Sequence, residues 1–459
     1  MAAGKGTRMK SKLPKVLHPL AGRALVHHVL ATAAEVGARH AVLITGHGAE
    51  QVEAACGPDS GVGAGLQLQC VRQEPQLGTG HAVQQAMPVL PDDGIVVVLS
   101  GDVPLTQVQT LRELIALSEG DKLALLTLQL DNPMGYGRIV RDGGGDNAPV
   151  RAIVEQKDAS AEQLAIREIY SGIMAVPARL LKTWLARLDN NNAQKEYYLT
   201  DIVRFAVADG VPVLAHRITD AVQVAGVNSP VQLAELERAC QLRQANRLME
   251  QGVRIADPAR FDLRGDLQCG QDVAIDVNCI FEGKVVLGDD VRIGANCVIA
   301  NAQIAAGAVI HPFTHIDGEK QGVKVGEGAL IGPFARLRPG ADLGPQVHIG
   351  NFVEVKNSTL ARGAKANHLA YLGDATVGER VNYGAGSITA NYDGAFKHRT
   401  TIEADVHVGS NCVLIAPVTI GAGGTIGGGS TISKDTAPET LSVARGKQVS
   451  IPGWKRPRK

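Results

Sequence analysis

Residues 401–432 read TIEADVHVGSNCVLIAPVTIGAGGTIGGGSTI, and the aliphatic positions keep a strict count. Ile402, Val408, Leu414, Ile420, Ile426 and Ile432 stand six residues apart, and three of the six are followed by Gly. A period of six suits neither a helix nor an ordinary strand. It marks a parallel β-helix of hexapeptides, in which each aliphatic residue points into a narrow prism and three hexapeptides close one coil.

Working outward, the same count returns at Ile331, Leu337, Leu343, Ile349 and Val355. It begins at Leu287, Ile293 and Ile299, and Ile310 and Ile316 rejoin it after a slip of one residue. Residues 262–435 are therefore expected to make about nine or ten coils. The 53 glycines and the 3% aromatic content suit a structure of many tight turns and few large side chains. Upstream, 229–252 (SPVQLAELERACQLRQANRLMEQG) has helical spacing, with Ser229 as cap and Pro230 in the first turn. It reads as a connecting helix.

The pattern before residue 228 is different. Apolar runs at Ala41–Thr45, Gly94–Ser100, Leu123–Leu128 and Val211–Ala215 alternate with amphipathic segments such as Ala24–Val36 and Thr106–Ser118. Such alternation predicts an α/β domain with a mostly parallel sheet, whose ligands bind at the carboxyl ends of the strands.

At 459 residues the chain has room for two or three domains. Lys plus Arg and Asp plus Glu balance at 46 each, so no global field recruits nucleic acid or an anionic membrane. The seven cysteines are scattered and form no CxxC pair, as expected of reduced thiols in a cytoplasm. No apolar run approaches the roughly 20 residues of a membrane helix. The basic tail Lys455–Lys459 reads as a solvated or coenzyme-side extension rather than a nucleic-acid arm.

The chain opens on MAAGKGTRMKSKLPK, in which Gly4, Lys5 and Gly6 offer backbone N–H groups to an anion, with Arg8 and Lys15 following. QLGTG at 76–80 is a second glycine turn. SGD at 100–102 places a carboxylate after the most apolar run of the domain, where Asp102 either ligates Mg²⁺ or caps a helix starting near Pro104.

Together these stretches resemble the signature of sugar-1-phosphate nucleotidyltransferases. With GYGRI at 135–139, IVEQKDA at 153–159, NAQKEYYLTD at 192–201 and GVN at 226–228, the chain resembles one family more narrowly. It is the bacterial bifunctional glucosamine-1-phosphate acetyltransferases / N-acetylglucosamine-1-phosphate uridylyltransferases. The resemblance runs over nearly the whole chain. It implies a Rossmann-like α/β uridylyltransferase (pyrophosphorylase) domain at 1–228, a linker helix at 229–252 and an acetyltransferase domain at 253–459, its β-helix left-handed.

For the first domain the resemblance implies that Met1, Ala2, Ala3, Gly4, Lys15, Gln73, Gly78 and Thr79 hold UTP. Gly137, Glu155 and Asn228 hold the N-acetyl sugar, and Asp102 with Asn228 shares a Mg²⁺ ion. Arg8 and Lys15 steady the charge of uridylyl transfer to N-acetylglucosamine 1-phosphate. Tyr170 and Ser171 depart from the family, which more often has Asn-Thr there. The Asn touches sugar, and Tyr170 either replaces that contact or packs.

In the repeat domain the informative residues interrupt the count, in RLRPG, NFVEVK, NHLAYLGD and NYGAGSITANYDG. A lone His in a repeat is commonly surface or hydrogen-bonded structure. His368, however, stands among basic and amide residues suited to a sugar phosphate. The resemblance makes it the general base that takes a proton from glucosamine 1-phosphate as the amine attacks acetyl-CoA. Arg338 and Lys356 would hold the phosphate, Tyr371 and Asn382 the sugar phosphate, and Glu354 would orient the amine or His368. Ala385, Asn391, Tyr392, Ser410, Gly428 and Arg445 would line the acetyl-CoA site. Gly428 stands where the family often has Ala. A homotrimer is implied, with neither nucleic acid nor membrane as a partner.

Two other readings stay open. One is a single-activity sugar-1-phosphate nucleotidyltransferase with a structural or regulatory β-helix, and the other a non-catalytic trimeric binding protein. The glycine loop also lacks the strand that normally carries it. In the resembling family about ten residues with such a strand come first, so the natural protein is expected to begin upstream of Met1. Without that strand, uridylyl transfer is expected to be weak while acetyl transfer survives.

Overall fold

The computed structural model describes every residue except 58–60, 62, 64, 144–147 and 457–459, so the end of the basic tail lies outside the described residues. It divides into two units, Met1–Cys240 and Gln241–Lys459.

In the first unit the apolar runs become β1 (His40–Thr45), β2 (Gln67–Arg72), β3 (Ile95–Val98), β4 (Leu123–Gln129), β5 (Arg138–Arg141), β6 (Val150–Val154), β7 (Glu168–Pro177) and β8 (Val213–Ile218). The helices of six residues or more are α1 (Leu25–Glu35), α2 (Ala49–Ala55), α3 (Thr79–Gln84), α4 (Val108–Ser118), α5 (Ala178–Leu185), α6 (Asp201–Ala208) and α7 (Pro230–Glu250), which continues into the second unit. β1 and β2 pair in parallel, His40 opposite Gln67 through Thr45 opposite Arg72. A second sheet has the order β8-β4-β7-β5-β6, with β3 also along β7.

That second sheet corrects the expectation of mostly parallel pairing. β3 and β4 both run antiparallel to β7, and β8 parallel to β4, so β7 is a reversed strand between neighbours of one direction. The antiparallel pair β5–β6 precedes β7, which is also antiparallel to β5, and the segment between β6 and β7 carries a four-residue helix, Ala161–Leu164. All of β7 except Gly172 is buried; its apolar residues join the core, while the buried Glu168 pairs with Arg141 at 2.7 Å and Ser171 donates to the Leu126 carbonyl at 2.7 Å.

Met1 and Ala2 tie two strand ends together. The Met1 amine donates to the Leu99 carbonyl at 2.8 Å, and Ala2 N–H donates to the Ile44 carbonyl at 2.8 Å. Gly101 N–H donates to the Met1 carbonyl at 2.8 Å. The glycine loop therefore leaves from the carboxyl ends of β1 and β3, where open α/β sheets bind ligands.

In the second unit the counted aliphatic residues point inward and are buried from Ile275 to Ile432. One face is a ladder of eleven parallel strands, from Arg254–Ile255 to Leu441–Ser442. A sixteen-strand sheet folds over the remaining surface of the prism. The one-residue slip has a structural counterpart: Phe281 pairs with Ile299 but Leu287 pairs with Ile304, the register shifting between Glu282 and Val285. Corners turn through left-handed backbone, at Asn296, Gln346, Asn411 and also at Phe313, Phe334 and Phe352. Asn tolerates that region and Phe does so at a cost. Residues 391–399 leave the prism between strands Ile388–Ala390 and Thr400–Ile402, closed by an antiparallel bridge from Tyr392 to Lys397.

Candidate active sites

In the first unit Gly6 has φ 57°, and a Cβ there would stand 2.8 Å from Lys15 Cβ, so the loop packs on the stem of the lysine. A Cβ on Gly4 would meet nothing within 4 Å, which leaves open space over that peptide. Arg8 is exposed on the same loop.

Lys15 reaches across the unit: its Nζ donates to Asp102 Oδ2 at 2.5 Å and to Asn228 Oδ1 at 3.1 Å. The pair is largely shielded, with side chains 14% and 20% exposed. Val227 N–H donates to the Asp102 carbonyl at 3.0 Å, which brings GVN against SGD. Asp102 caps no helix, because α4 starts at Val108 with Gln107 as its cap. Two side-chain oxygens thus converge on one positive atom. A Mg²⁺ ion suits that donor set, since it takes one or two carboxylates and completes its shell with water and substrate phosphate. Among the described residues no three His, Cys, Asp or Glu gather into a metal cage.

The second glycine turn is clamped by the EYYLT segment. Gly80 N–H donates to the Tyr197 carbonyl at 2.7 Å, and Thr79 Oγ1 accepts Leu199 N–H at 3.1 Å. Gly78 has φ 108°, and a Cβ there would stand 2.7 Å from the Tyr197 carbonyl oxygen. Gln73 is buried beneath the turn and donates to the Gly78 carbonyl at 2.9 Å.

Gly137, Glu155 and Tyr170 meet on the second sheet. Tyr170 N–H donates to the Gly137 carbonyl at 2.9 Å, and a Cβ on Gly137 would lie 3.7 Å from both Glu155 oxygens. Burial pushes the Glu155 carboxyl up, against a hydrogen bond from Thr200 Oγ1 at 3.0 Å. The Tyr170 hydroxyl is buried without a hydrogen-bond partner among the described residues, and burial, then Glu155, pushes it well above the ordinary tyrosine value. Thr200 went unnoticed in the sequence, although it lies in the same EYYLTD motif.

In the second unit Arg338 Nη1 donates to Glu354 Oε1 at 2.8 Å, and Arg336 Nη1 to Glu354 Oε2 at 3.3 Å. Strand pairing sets Glu354 beside Tyr371 and Lys356 beside Gly373. A Cβ on Gly373 would fall on the Tyr371 hydroxyl, so the glycine makes room for that ring. The Lys397 ammonium, then partial burial, lowers the pKa of Lys356, with Arg338 adding to the effect. Three cations therefore crowd one place, which is chemistry for a phosphate. Lys397 was missed in the sequence, yet it sits five residues after Tyr392 on the same excursion.

His368 is exposed and pairs across one rung with Asn351, whose Oδ1 lies 2.9 Å from His368 Nδ1. Of the two roles expected of Glu354, orienting His368 is taken by Asn351, since the Glu354 carboxylate engages two arginines. Asn382 lies on the eleven-strand face, the face of His368, with its amide 3.0 Å from His407 Nε2. Ala385, Ser410, Gly428 and Arg445 stack along one corner. The Ala385 carbonyl accepts Asn411 N–H at 2.7 Å, the Ser410 carbonyl accepts Gly429 N–H at 2.8 Å, and Arg445 Nη1 donates to the Gly428 carbonyl at 3.2 Å. A methyl group on Gly428 would stand 3.3 Å from the Ser410 carbonyl oxygen, a contact that needs only a small shift. Asn391 is buried and donates to Asp374, while Tyr392 is 61% exposed on the excursion.

Among the described residues no helix is long and apolar enough to cross a membrane. No disulfide joins any of the seven cysteines. Residues 1–143 match the MobA-like NTP transferase domain, and residues 322–357 and 399–434 match the bacterial transferase hexapeptide repeat. The chain is 76% identical to Bifunctional protein GlmU of Polaromonas naphthalenivorans (strain CJ2) over 457 residues, which cover 100% of this chain and 97% of that one. It is 74% identical to the protein of that name from Albidiferax ferrireducens, covering 100% and 99%. With that of Nitrosospira multiformis the identity is 56%, covering 100% and 96%. At such identity over the whole of this chain and nearly all of each relative, the chain belongs to the family of bifunctional GlmU proteins.

Proposed function

We propose that the second unit acetylates glucosamine 1-phosphate from acetyl-CoA and that the first unit then transfers UMP from UTP to the N-acetylglucosamine 1-phosphate so formed. Pyrophosphate and UDP-N-acetylglucosamine, a precursor of cell-wall synthesis, are the final products. The observation that carries this reading is that each unit holds its own polar cluster, Lys15–Asp102–Asn228 in one and Arg338–Glu354–Lys356–Tyr371 with His368 in the other.

In uridylyl transfer the sugar phosphate oxygen attacks the α-phosphorus of UTP in line, and the bond to the β-phosphate oxygen breaks. Positioning and charge neutralisation do most of the work in such a step. Gly4 and Gly6 offer N–H groups to the phosphates, Lys15 and Arg8 supply positive charge, and Gln73, Gly78 and Thr79 shape the floor for the nucleotide. Gly137, Glu155 and Tyr170 face the sugar. Asp102 and Asn228 would hold Mg²⁺, and such an ion, when bound, neutralises phosphate charge.

In acetyl transfer the amine of glucosamine 1-phosphate attacks the thioester carbonyl, His368 Nε2 takes the amine proton, and the carbon–sulfur bond breaks to release the coenzyme as thiol. Arg338, Lys356 and Lys397 hold the phosphate, with Tyr371 and Asn382 on the sugar phosphate. The Ala385–Ser410–Gly428–Arg445 corner, with Asn391 and Tyr392, takes acetyl-CoA. We infer a homotrimer from an apolar stripe that a single chain leaves bare. Phe313, Phe334 and Phe352 stack along one corner at 4.9 and 5.4 Å, and each is about half exposed.

Two assays test the whole. Thiol release from acetyl-CoA and glucosamine 1-phosphate, and pyrophosphate release from UTP, N-acetylglucosamine 1-phosphate and Mg²⁺, are both expected. Absence of the first alone would leave a single-activity nucleotidyltransferase, and absence of both a binding protein.

A further inference from the structure

Among the described residues, Asp272, Asp290, Asp374 and Asp405 are the aspartates that stand in left-handed backbone, at corners of the coils. Asp272, Asp290 and Asp405 are exposed, as suits a charge at a corner, whereas Asp374, with φ 50°, is only 7% exposed. A carboxylate gives up water only where other polar groups replace it.

At Asp374 they come from two directions. Asn357 Nδ2 donates to Asp374 Oδ1, and Nδ2 of the buried Asn391 donates to Asp374 Oδ2. Asn357 directly follows Lys356, whose carbonyl accepts Asp374 N–H at 3.1 Å. Side chain and backbone thus fasten Asp374 to the corner that carries Lys356. The Lys397 ammonium, then burial and Arg338, disfavour the charged form of Lys356, and Asp374 is the charge that opposes them.

Asn391 begins the excursion of residues 391–399, and the same aspartate holds its return. The Asp374 carbonyl accepts Thr400 N–H at 3.1 Å. Arg399 Nη1 donates to the Ala375 carbonyl at 3.2 Å and to Thr376 Oγ1 at 2.9 Å, and its Nη2 reaches the Asn357 carbonyl at 3.4 Å. His398 N–H donates to the Asn391 carbonyl at 2.8 Å, which closes the two stems on each other. Tyr392 and Phe396, both largely exposed, stand beyond that closure.

We propose that Asp374 is a positioning residue for acetyl transfer. Its buried carboxylate fixes the Lys356–Asn357 corner and the stems of the excursion to each other, so that the place for the sugar phosphate and the place for the coenzyme share one anchor. This role rests on the acetyl transfer proposed above, and Asp374 acts in it through Lys356 and Asn391 rather than on substrate. Such a network holds only while every buried donor meets an oxygen.

The test is made on the full chain. In Asp374→Asn an amide N–H faces that of Asn357 or Asn391, so KM for glucosamine 1-phosphate and KM for acetyl-CoA are both expected to rise about tenfold or more. The double variant Asn357→Asp, Asp374→Asn moves the charge one residue along the network and returns an oxygen to every donor. Both KM values are then expected to fall back to within about threefold of wild type. A lowered melting temperature with both KM values unchanged would make Asp374 merely structural, and a rise in one KM alone would remove the shared anchor. A double variant that rescues neither value would overturn the part given to the hydrogen-bond pattern. The wild-type chain adds a check that depends on no variant's folding. Hydrogen exchange at the Thr400 amide is expected to slow with glucosamine 1-phosphate alone and with coenzyme A alone, and a response to one only, or to neither, would overturn the anchor. Thiol release by the wild-type chain tests acetyl transfer itself. Its absence would strike that reading, whereas release with unaltered KM values in Asp374→Asn would strike only the role of Asp374.

Discussion

Asn351 Oδ1 lies 2.9 Å from His368 Nδ1, in adjacent rungs of one ladder. A side-chain carbonyl can only accept, so the neutral ring carries its proton on Nδ1 and keeps the Nε2 lone pair free for substrate. Asn351 is thus a positioning residue for the base. Asn351→Ala is expected to lower kcat for acetyl transfer on the order of 10- to 100-fold with KM little changed. Asn351→Asp, which still accepts, should restore most of it and move the acid limb of the pH profile upward. An unchanged profile with a lowered melting temperature in both variants would leave Asn351 a merely structural role.

Lys15→Met removes the ammonium that Asp102 and Asn228 share. Uridylyl transfer is expected to fall by roughly 10²- to 10³-fold, the scale for loss of one preorganised charge contact. Thiol release by the second unit should stay within twofold, a margin of about 0.4 kcal/mol. Pyrophosphate and thiol assays on one preparation give both numbers.

Tyr170 keeps a buried hydroxyl with no partner among the described residues. Tyr170→Phe removes a polar group that lacks compensation, so the first unit should gain about 1 kcal/mol of stability. If the hydroxyl serves the sugar, KM for N-acetylglucosamine 1-phosphate should rise roughly 3- to 10-fold, the worth of one neutral hydrogen bond. Calorimetry with steady-state kinetics separates the two effects, and a KM unchanged in the variant would leave Tyr170 as packing.

Glu155 titrates above the ordinary carboxylate range because burial disfavours its charge. The folded state therefore binds its proton more tightly than the unfolded chain. The stabilisation is full below the ordinary glutamate pKa and is lost as pH rises through the raised folded value. Glu155→Gln should flatten that decline and raise the melting temperature at neutral pH, while weakening sugar binding. Melting curves across the acid range of both proteins are the check.

Phe334 stacks between Phe313 and Phe352 on a bare corner. Phe334→Asp puts a charge into that stripe and is expected to convert trimer to monomer by light scattering, with acetyl transfer lost alongside and uridylyl transfer retained. A wild-type chain that runs as a monomer would end the trimer proposal.

Much of this was legible without coordinates. The sixfold count foretold the buried ladder, even its slip, because each coil stacks only on its neighbours and the period is written locally. The glycine loop, SGD and GVN were visible as motifs. The reversal of β7 was not, since EIYSGIMAVP is mostly apolar and carries no mark of direction. Lys397 and Asn351 were missed because their neighbours lie on other rungs or across an excursion.

By itself, then, the sequence determined two architectures and the chemistry of two clusters, because hexapeptide stacking and glycine turns are local properties of the chain. Only the tertiary structure decided that Lys15 meets Asp102 and Asn228, partners 87 and 213 residues away. It also decided that Glu354 serves arginines and that His368 is held by Asn351. Those facts depend on which strand ends lie side by side, and hydrophobic periodicity does not specify that.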